Sequence, residues 1–213
     1  MSRKTFLLLD ANSLINRAYY GLFGRQTLTA PDGTPTGAIF AFLNMYLKYI
    51  ETYMPTHVAA AFDRREPTFR HGWYDGYKAT RRPMDEDLAV QIPLLQDLLT
   101  KMGVSWLDFA GFEADDLLGT LAACGEKAGM KVLIISGDQD SFQLANENTT
   151  ILQPVSRNGQ TTIERYDPAA VYERFGVRPD QFVDLKAIMG DSSDNIPGVK
   201  GIGIKGATEL IAR

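Results

Sequence analysis

Acidic side chains recur at five places in this chain where a fold can gather them into one site. Asp10 closes the apolar run from Thr5 to Leu9, Asp63 follows Val58 to Phe62, and Asp138, with Asp140 two positions on, follows Lys131 to Ile135. Glu113, Asp115 and Asp116 follow Ala110-Gly111-Phe112, and Asp191 and Asp194 lie within Gly190-Asp191-Ser192-Ser193-Asp194-Asn195. Oxygen-only donor sets of this kind suit hard cations such as Mg²⁺ or Mn²⁺. Zinc lacks its ligands, because His57, His71 and Cys124 show no metal-ligand spacing. Two or more hard cations clamp the attacking and leaving oxygens of a phosphodiester displacement, a reaction that needs a carboxylate-rich pocket. Each acid also has a plainer role available. An Asp at a strand end is often only a helix N-cap, and Glu113, Asp115 and Asp116 complement a helix dipole. Nine carboxylates in one crevice would repel one another, so cations must sit among them.

The elements that must position these groups follow from periodicity. Apolar runs at Thr5–Leu9, Val58–Phe62, Val104–Phe109 and Lys131–Ile135 read as strands. Three-and-four spacing predicts helices over Thr36–Tyr53, Glu113–Ala128 and Asp85–Met102, the last kinked or reopened at Pro93. Strands alternating with helices predict an α/β fold with a mostly parallel central sheet flanked by helices. In such sheets ligands bind beyond the carboxyl ends of the strands, where Asp10, Asp63 and Asp138 fall. Thr149–Val155 and Thr161–Tyr166, joined through Arg157-Asn158-Gly159, read as a closing hairpin. The stretch from Arg64 to Arg82 has no clean period, and after Asp167 the chain turns helical and then Gly-rich.

Charge supports a polyanionic partner. The 213 residues carry 22 Lys plus Arg against 26 Asp plus Glu, a net charge of −4. Without the nine clustered carboxylates the balance is 22 against 26 − 9 = 17, or +5. Arg64, Arg65, Arg70, Lys78, Arg81 and Arg82 fall within nineteen residues and alternate with Phe69, Trp73, Tyr74 and Tyr77. Cations for phosphates beside aromatics for bases is the pattern of single-strand binding, although a solvated loop with its aromatics in the core reads similarly. Between two helical stretches, Gly198-Val199-Lys200-Gly201-Ile202-Gly203, followed by Lys205, offers bare amides that can approach duplex phosphates. The apolar runs are far short of the roughly 18 residues of a membrane span, and no signal peptide is read at Met1–Asp10. A single cysteine, Cys124, fits a reducing cytoplasm and is expected to be a buried free thiol.

Together the motifs Leu8-Leu9-Asp10-Ala11-Asn12, Ala61-Phe62-Asp63, Tyr77-Lys78-Ala79-Thr80-Arg81, Gly111-Phe112-Glu113-Ala114-Asp115-Asp116, Ser136-Gly137-Asp138-Gln139-Asp140 and Gly190-Asp191-Ser192-Ser193-Asp194-Asn195-Ile196-Pro197-Gly198-Val199 closely resemble the 5′-3′ exonuclease domain of bacterial DNA polymerase I, in the flap endonuclease superfamily. The resemblance spans essentially the whole chain. It implies a PIN-like catalytic core over 1–175, with a helical arch at about 64–84, and over 176–213 the start of a helix-three-turn-helix DNA-binding region, expected to be truncated at the C-terminus. It implies that Asp10, Asp63, Glu113, Asp115, Asp116, Asp138, Asp140, Asp191 and Asp194 bind Mg²⁺ or Mn²⁺. Tyr77, Lys78 and Arg81 match the gateway for a 5′ single strand, with Arg70 and Arg82 as further DNA contacts. Gly198, Lys200, Gly201, Gly203 and Lys205 match the duplex-binding hairpin, where relatives often hold K⁺. A monomer is expected, fused to a polymerase region in a parent protein and acting on 5′-flapped, nicked or branched DNA. Two other readings are a PIN-type metal-dependent ribonuclease, which has no need of the glycine hairpin, and a catalytically idle binder of branched DNA.

Overall fold

Strand β1 (Thr5–Asp10) sets the architecture: Leu7 and Leu9 face one side of the sheet and Leu8 the other, and all three are fully buried. A strand apolar on both faces needs helices on both faces, as parallel sheets have. The computed structural model describes residues 3–21, 28–157 and 160–213. In it β1 pairs in parallel with β2 (His57–Ala61) on one side and β4 (Lys131–Ile135) on the other. Strands β3 (Ser105–Leu107) and β5 (Thr149–Arg157) extend the parallel sheet, and β6 (Gln160–Tyr166) closes it antiparallel, in the order β3-β2-β1-β4-β5-β6.

One face is covered by α1 (Ala11–Gly21), α2 (Gly37–Tyr53) and α5 (Gln91–Lys101), which bury Leu14, Phe42, Leu95 and Leu99 against Leu7 and Leu9. The other carries α6 (Ala114–Lys127), α7 (Pro168–Phe175) and α8 (Phe182–Met189), packed around Phe142 with Leu118, Val171 and Leu185. Buried Gln91 ties the first layer together, its Oε1 accepting from the N–H groups of Ala38 and Ile39 at the start of α2. These are amides that the helix itself leaves without partners.

Several expectations need revision. The break in the Asp85–Met102 stretch falls at Val90, between α4 (Glu86–Ala89) and α5, and Pro93 sits in the first turn of α5, where its missing N–H costs nothing. Strand β3 is only three residues long, as an edge strand paired on one side. Cys124 is exposed, not buried. The Asn158-Gly159 turn lies outside the described residues. The arch segment contains one five-residue helix, α3 (Phe69–Trp73), followed by turns. Among the described residues no helix is long and apolar enough to cross a membrane.

Beyond α8 the backbone doubles back through two short paired strands, β7 (Gly190–Asp191) and β8 (Ile196–Pro197). They approach so closely that a Cβ on Gly198 would lie 2.2 Å from the Met189 carbonyl, which explains glycine there. The last helix, α9 (Ile204–Ile211), is anchored by Ala207, which has no exposed surface.

Candidate active site

Asp10 is positioned by neutral donors. Its Oδ1 accepts from the Ser13 N–H at 3.0 Å, capping α1, and its Oδ2 accepts from the Ser136 hydroxyl at 2.5 Å at the end of β4. The cap and the pocket are therefore one residue doing both jobs. Asp63 follows β2, and its Oδ1 accepts from the Ala114 N–H at 2.7 Å at the start of α6. Asp138 accepts from the Asp140 N–H, while its own N–H donates to Ser136 Oγ. Asp115, in the first turn of α6, completes the group on the wall of a cleft of about 1110 Å³ that all four share. None of the four forms an ion pair among the described residues.

That crowding moves their titration. Burial first, and then the charges of Asp10, Asp138, Asp63 and Asp140, push Asp115 up to about 8. Burial also pushes Asp10 up to about 6, with Asp63 and Asp138 adding to it and the Ser136 and Ser13 donors opposing.

The other five carboxylates are compensated by cations of the chain itself. Arg70 holds Asp116 through two parallel bonds of 2.8 Å, and Asp116 also accepts from the Glu113 N–H. Lys78 Nζ lies 2.7 Å from Glu113 Oε1, and Arg81 Nη2 lies 2.5 Å from Asp194 Oδ1. Tyr77, buried rather than displayed, places its hydroxyl 2.9 Å from Glu113 and 3.1 Å from Asp194. These two anions drive the phenol's pKa upward, after burial. One backbone and one side-chain bond strap the same segment to the 191–195 loop: the Lys78 N–H donates to Asp194 O, and Asn195 Nδ2 donates to Gly76 O.

Lys186 was not legible as a site residue. It projects from α8 to within 2.9 Å of Asp140 Oδ1 and 2.6 Å of Asp191 Oδ2. Against the cost of partial burial, Lys186 and the Ser193 hydroxyl and amide hold Asp191 down to about 2. Carboxylate oxygens of Asp140, Asp191 and Asp194 lie within 4.8 Å of one another, a second all-oxygen cluster suited to a hard cation. Ser13, Ser136 and Asn12, whose Oδ1 accepts from the Asp63 N–H, were also missed. The only sequence signal for them was closeness to a strand end.

Of the basic residues expected to meet DNA, Arg70 is engaged by Asp116, whereas Arg82 lines the cleft and forms no ion pair among the described residues. Lys200 and Lys205 are exposed, and Gly198, Gly201 and Gly203 form the tight turn between β8 and α9, Gly201 with φ +82°. This turn stands apart from the cleft lining.

A parallel sheet whose carboxyl edge carries an all-oxygen cleft rimmed by Arg and Lys defines a phosphodiester-hydrolysing nuclease. Residues 5–176 match the family model of the 5′-3′ exonuclease N-terminal resolvase-like domain, and residues 177–213 that of its C-terminal SAM fold. The chain belongs to the 5′-3′ exonuclease family. It is 42% identical over 209 residues to DNA polymerase I of Bacillus subtilis, covering 98% of this chain and 23% of that protein. With DNA polymerase I of Synechocystis it shares 45% over 222 residues, covering 100% of this chain and 22% of the relative. The chain thus spans less than a quarter of the length of these curated relatives. Among solved structures, a zinc-bound bacteriophage T5 5′-exonuclease superposes with a TM-score of 0.77 at 24% identity, covering 98% of this chain and 75% of that one. The catalytic core of Rad2 in complex with DNA substrate gives a TM-score of 0.63 at 20% identity, covering 99% and 61%.

Proposed function

We propose that this chain is a structure-selective nuclease region that hydrolyses DNA phosphodiesters beside 5′ single-strand to duplex junctions, using Mg²⁺. The observation that carries the reading is the group of four carboxylates, Asp10, Asp63, Asp115 and Asp138, that share one cleft without a basic partner. The donor set fits two or more hard divalent cations, held by these four and by Asp140, Asp191 and Asp194. When bound, such ions supply an activated water and stabilise the leaving 3′ oxygen.

The residues of the chain do the rest. Lys78 and Arg81 stand at the cleft wall on ion pairs with Glu113 and Asp194, so an entering phosphate exchanges one anion for another instead of meeting a bare cation. Arg70 keeps Asp116 and the start of α6 fixed, which in turn aims Asp115. Tyr77 couples the gateway to Glu113 and Asp194 through one hydroxyl. Lys200, Lys205 and the amides of Gly198, Gly201 and Gly203 grip duplex phosphates away from the cut, where K⁺ would sit among main-chain carbonyls. In this reading the chain acts as a cytoplasmic monomer, and the parent protein carries a polymerase region, as the relatives named DNA polymerase I suggest.

A 5′-labelled flapped duplex incubated with Mg²⁺ tests the proposal. The expected result is release of products whose lengths follow the flap, and none in EDTA. Binding without cleavage in Mg²⁺ would make the chain an idle binder, and preferential cutting of single-stranded RNA would make it a PIN-type ribonuclease.

A further inference from the structure

Ser136 is the first residue after β4 and has no exposed surface, so its hydroxyl must find its partners inside the protein. The sheet itself puts it among them. Leu9 of β1 lies opposite Ile135 of β4, so the next pair along the two parallel strands is Asp10 and Ser136. The Ser136 N–H donates to Leu152 O on β5 at 3.3 Å, which ties its backbone to the sheet.

A hydroxyl has one proton to give and lone pairs with which to receive. The Asp138 N–H donates to Ser136 Oγ at 3.0 Å, and the single Ser136 proton goes to Asp10 Oδ2 at 2.5 Å. One side chain thus touches two of the four uncompensated acids, Asp10 through its carboxylate and Asp138 through its backbone.

Ser13 closes the arrangement from the other side. Its N–H donates to Asp10 Oδ1 at 3.0 Å, and its Oγ accepts from the Gly137 N–H at 2.9 Å. Gly137 is pressed against that oxygen, since a Cβ there would lie 2.9 Å from it. Buried Gln153, on β5, donates from Nε2 to Gly137 O at 3.3 Å. Asp10, Ser13, Gly137 and Ser136 therefore form a closed ring of bonds in which both carboxylate oxygens of Asp10 are held. Its donors are uncharged, so the ring fixes position and leaves the negative charge for a cation.

Such rigidity selects among hard cations. Mg²⁺ demands near-ideal octahedral geometry at about 2.0–2.1 Å, whereas Ca²⁺ accepts about 2.3–2.6 Å and irregular coordination. A carboxylate pair that cannot spread favours the smaller ion, and a loosened pair adapts to the larger. We infer that Ser136 is a positioning residue that sets the Asp10–Asp138 pair and makes the cleft prefer Mg²⁺ to Ca²⁺, an assignment that rests on the reading of these acids as cation ligands.

The test reads metal affinity without DNA, with Mn²⁺ followed by electron paramagnetic resonance and Mg²⁺ and Ca²⁺ by their displacement of it. Ser136→Ala should weaken the tighter Mn²⁺ site, and Mg²⁺ with it, by about tenfold to a hundredfold, the usual effect of removing a hydrogen-bond partner from a metal ligand. Ca²⁺ should weaken only about twofold, so the preference for Mg²⁺ over Ca²⁺ falls by about fivefold or more. Ser13→Ala removes only the acceptor of the Gly137 N–H, because the bond to Asp10 comes from the Ser13 backbone. It should shift the preference the same way by about twofold. Equal losses for all three ions in Ser136→Ala would make the ring a fold element with no part in metal choice and overturn the inference. If Ser136→Ala does not fold, an unchanged preference in Ser13→Ala overturns it instead. Either result, alongside flap cleavage in Mg²⁺ by the native chain, refutes the positioning role alone, whereas a native chain that binds no Mn²⁺ refutes the cation reading and this inference with it.

Discussion

Two groups of the same residue type are set up in opposite ways. Asp10, Asp63 and Asp138 are oriented by uncharged donors, the Ser13, Ala114 and Asp140 amides and the Ser136 hydroxyl, and with Asp115 they keep their charge problem unsolved. Glu113, Asp116, Asp140, Asp191 and Asp194 are each matched by a chain cation, Lys78, Arg70, Lys186 or Arg81. The contrast appears in their titration, with Asp115 pushed up to about 8 and Asp191 held down to about 2. Neutral donors fix geometry without neutralising, which is what a pocket needs if it is to take its cations from solution. Ion pairs neutralise, and so suit a rim that must hold its shape until phosphate or metal takes over a partner.

Asp115→Asn is the harshest test. It keeps shape and removes one charge from the uncompensated group, so cleavage should fall by about a thousandfold or more, while the metal-free melting temperature holds or rises as repulsion is relieved. Loss of activity together with a lower melting temperature would place Asp115 among the structural acids and erase the distinction. Lys78→Ala, on the rim, should slow cleavage by about a hundredfold and change duplex Kd only a few-fold, because a donor aimed at the reacting phosphate acts mainly in the transition state. Equal losses in rate and affinity would reduce Lys78 to one more phosphate contact.

The uncompensated group should also write itself into stability. A carboxyl whose folded pKa is raised keeps its proton in the native state where the unfolded chain has already lost it. The contribution is therefore complete below the ordinary value of 3.8 and is lost as pH rises through about 6 for Asp10 and about 8 for Asp115. Without divalent metal the melting temperature should fall by about 5 °C between pH 5 and pH 8, and Mn²⁺ should flatten the slope. A melting temperature that stays level or climbs over that window would mean that Asp10 and Asp115 do not keep their protons in the native state, since Asp191, held down to about 2, changes stability only below the ordinary carboxylate range.

All nine carboxylates are legible in the sequence, but their division into an uncompensated and a compensated group is not, for a physical reason. Asp10 and Asp63 are readable because an apolar run has to stop where the sheet meets solvent, and the stop is local. The pairing of Lys186 with Asp140 joins α8 to the loop after β4, and in the sequence Lys186 is only a polar position in Phe182–Met189. For Tyr77 the sequence leaves display to bases and burial in the core both open, and only the distant Glu113 and Asp194, which draw its hydroxyl inward, decide for burial. The strands are legible from the pattern of apolar runs; the ion pairs depend on packing between distant elements.

Lys186 gives the smallest and most discriminating prediction. Its ammonium occupies the neighbourhood of Asp140 and Asp191, where a second divalent cation would be held, so it opposes that cation by charge while keeping the two carboxylates together. These effects have opposite signs in Lys186→Met. Asp191 retains Ser193 as a second anchor, through the hydroxyl at 2.6 Å and the amide at 2.8 Å, so the geometric loss falls mainly on Asp140. The lysine is partly solvent-exposed, with 28% of its side chain accessible, so screening trims its electrostatic opposition. The balance should favour metal: the weaker of two Mn²⁺ sites, followed by electron paramagnetic resonance at low salt, should tighten roughly threefold to tenfold, and the tighter site should not move. Raising the salt should shrink the difference. A weaker Mn²⁺ site in Lys186→Met, insensitive to salt, would show that Lys186 serves to position Asp140, and the rim would then be a scaffold instead of a reserve of exchangeable charge.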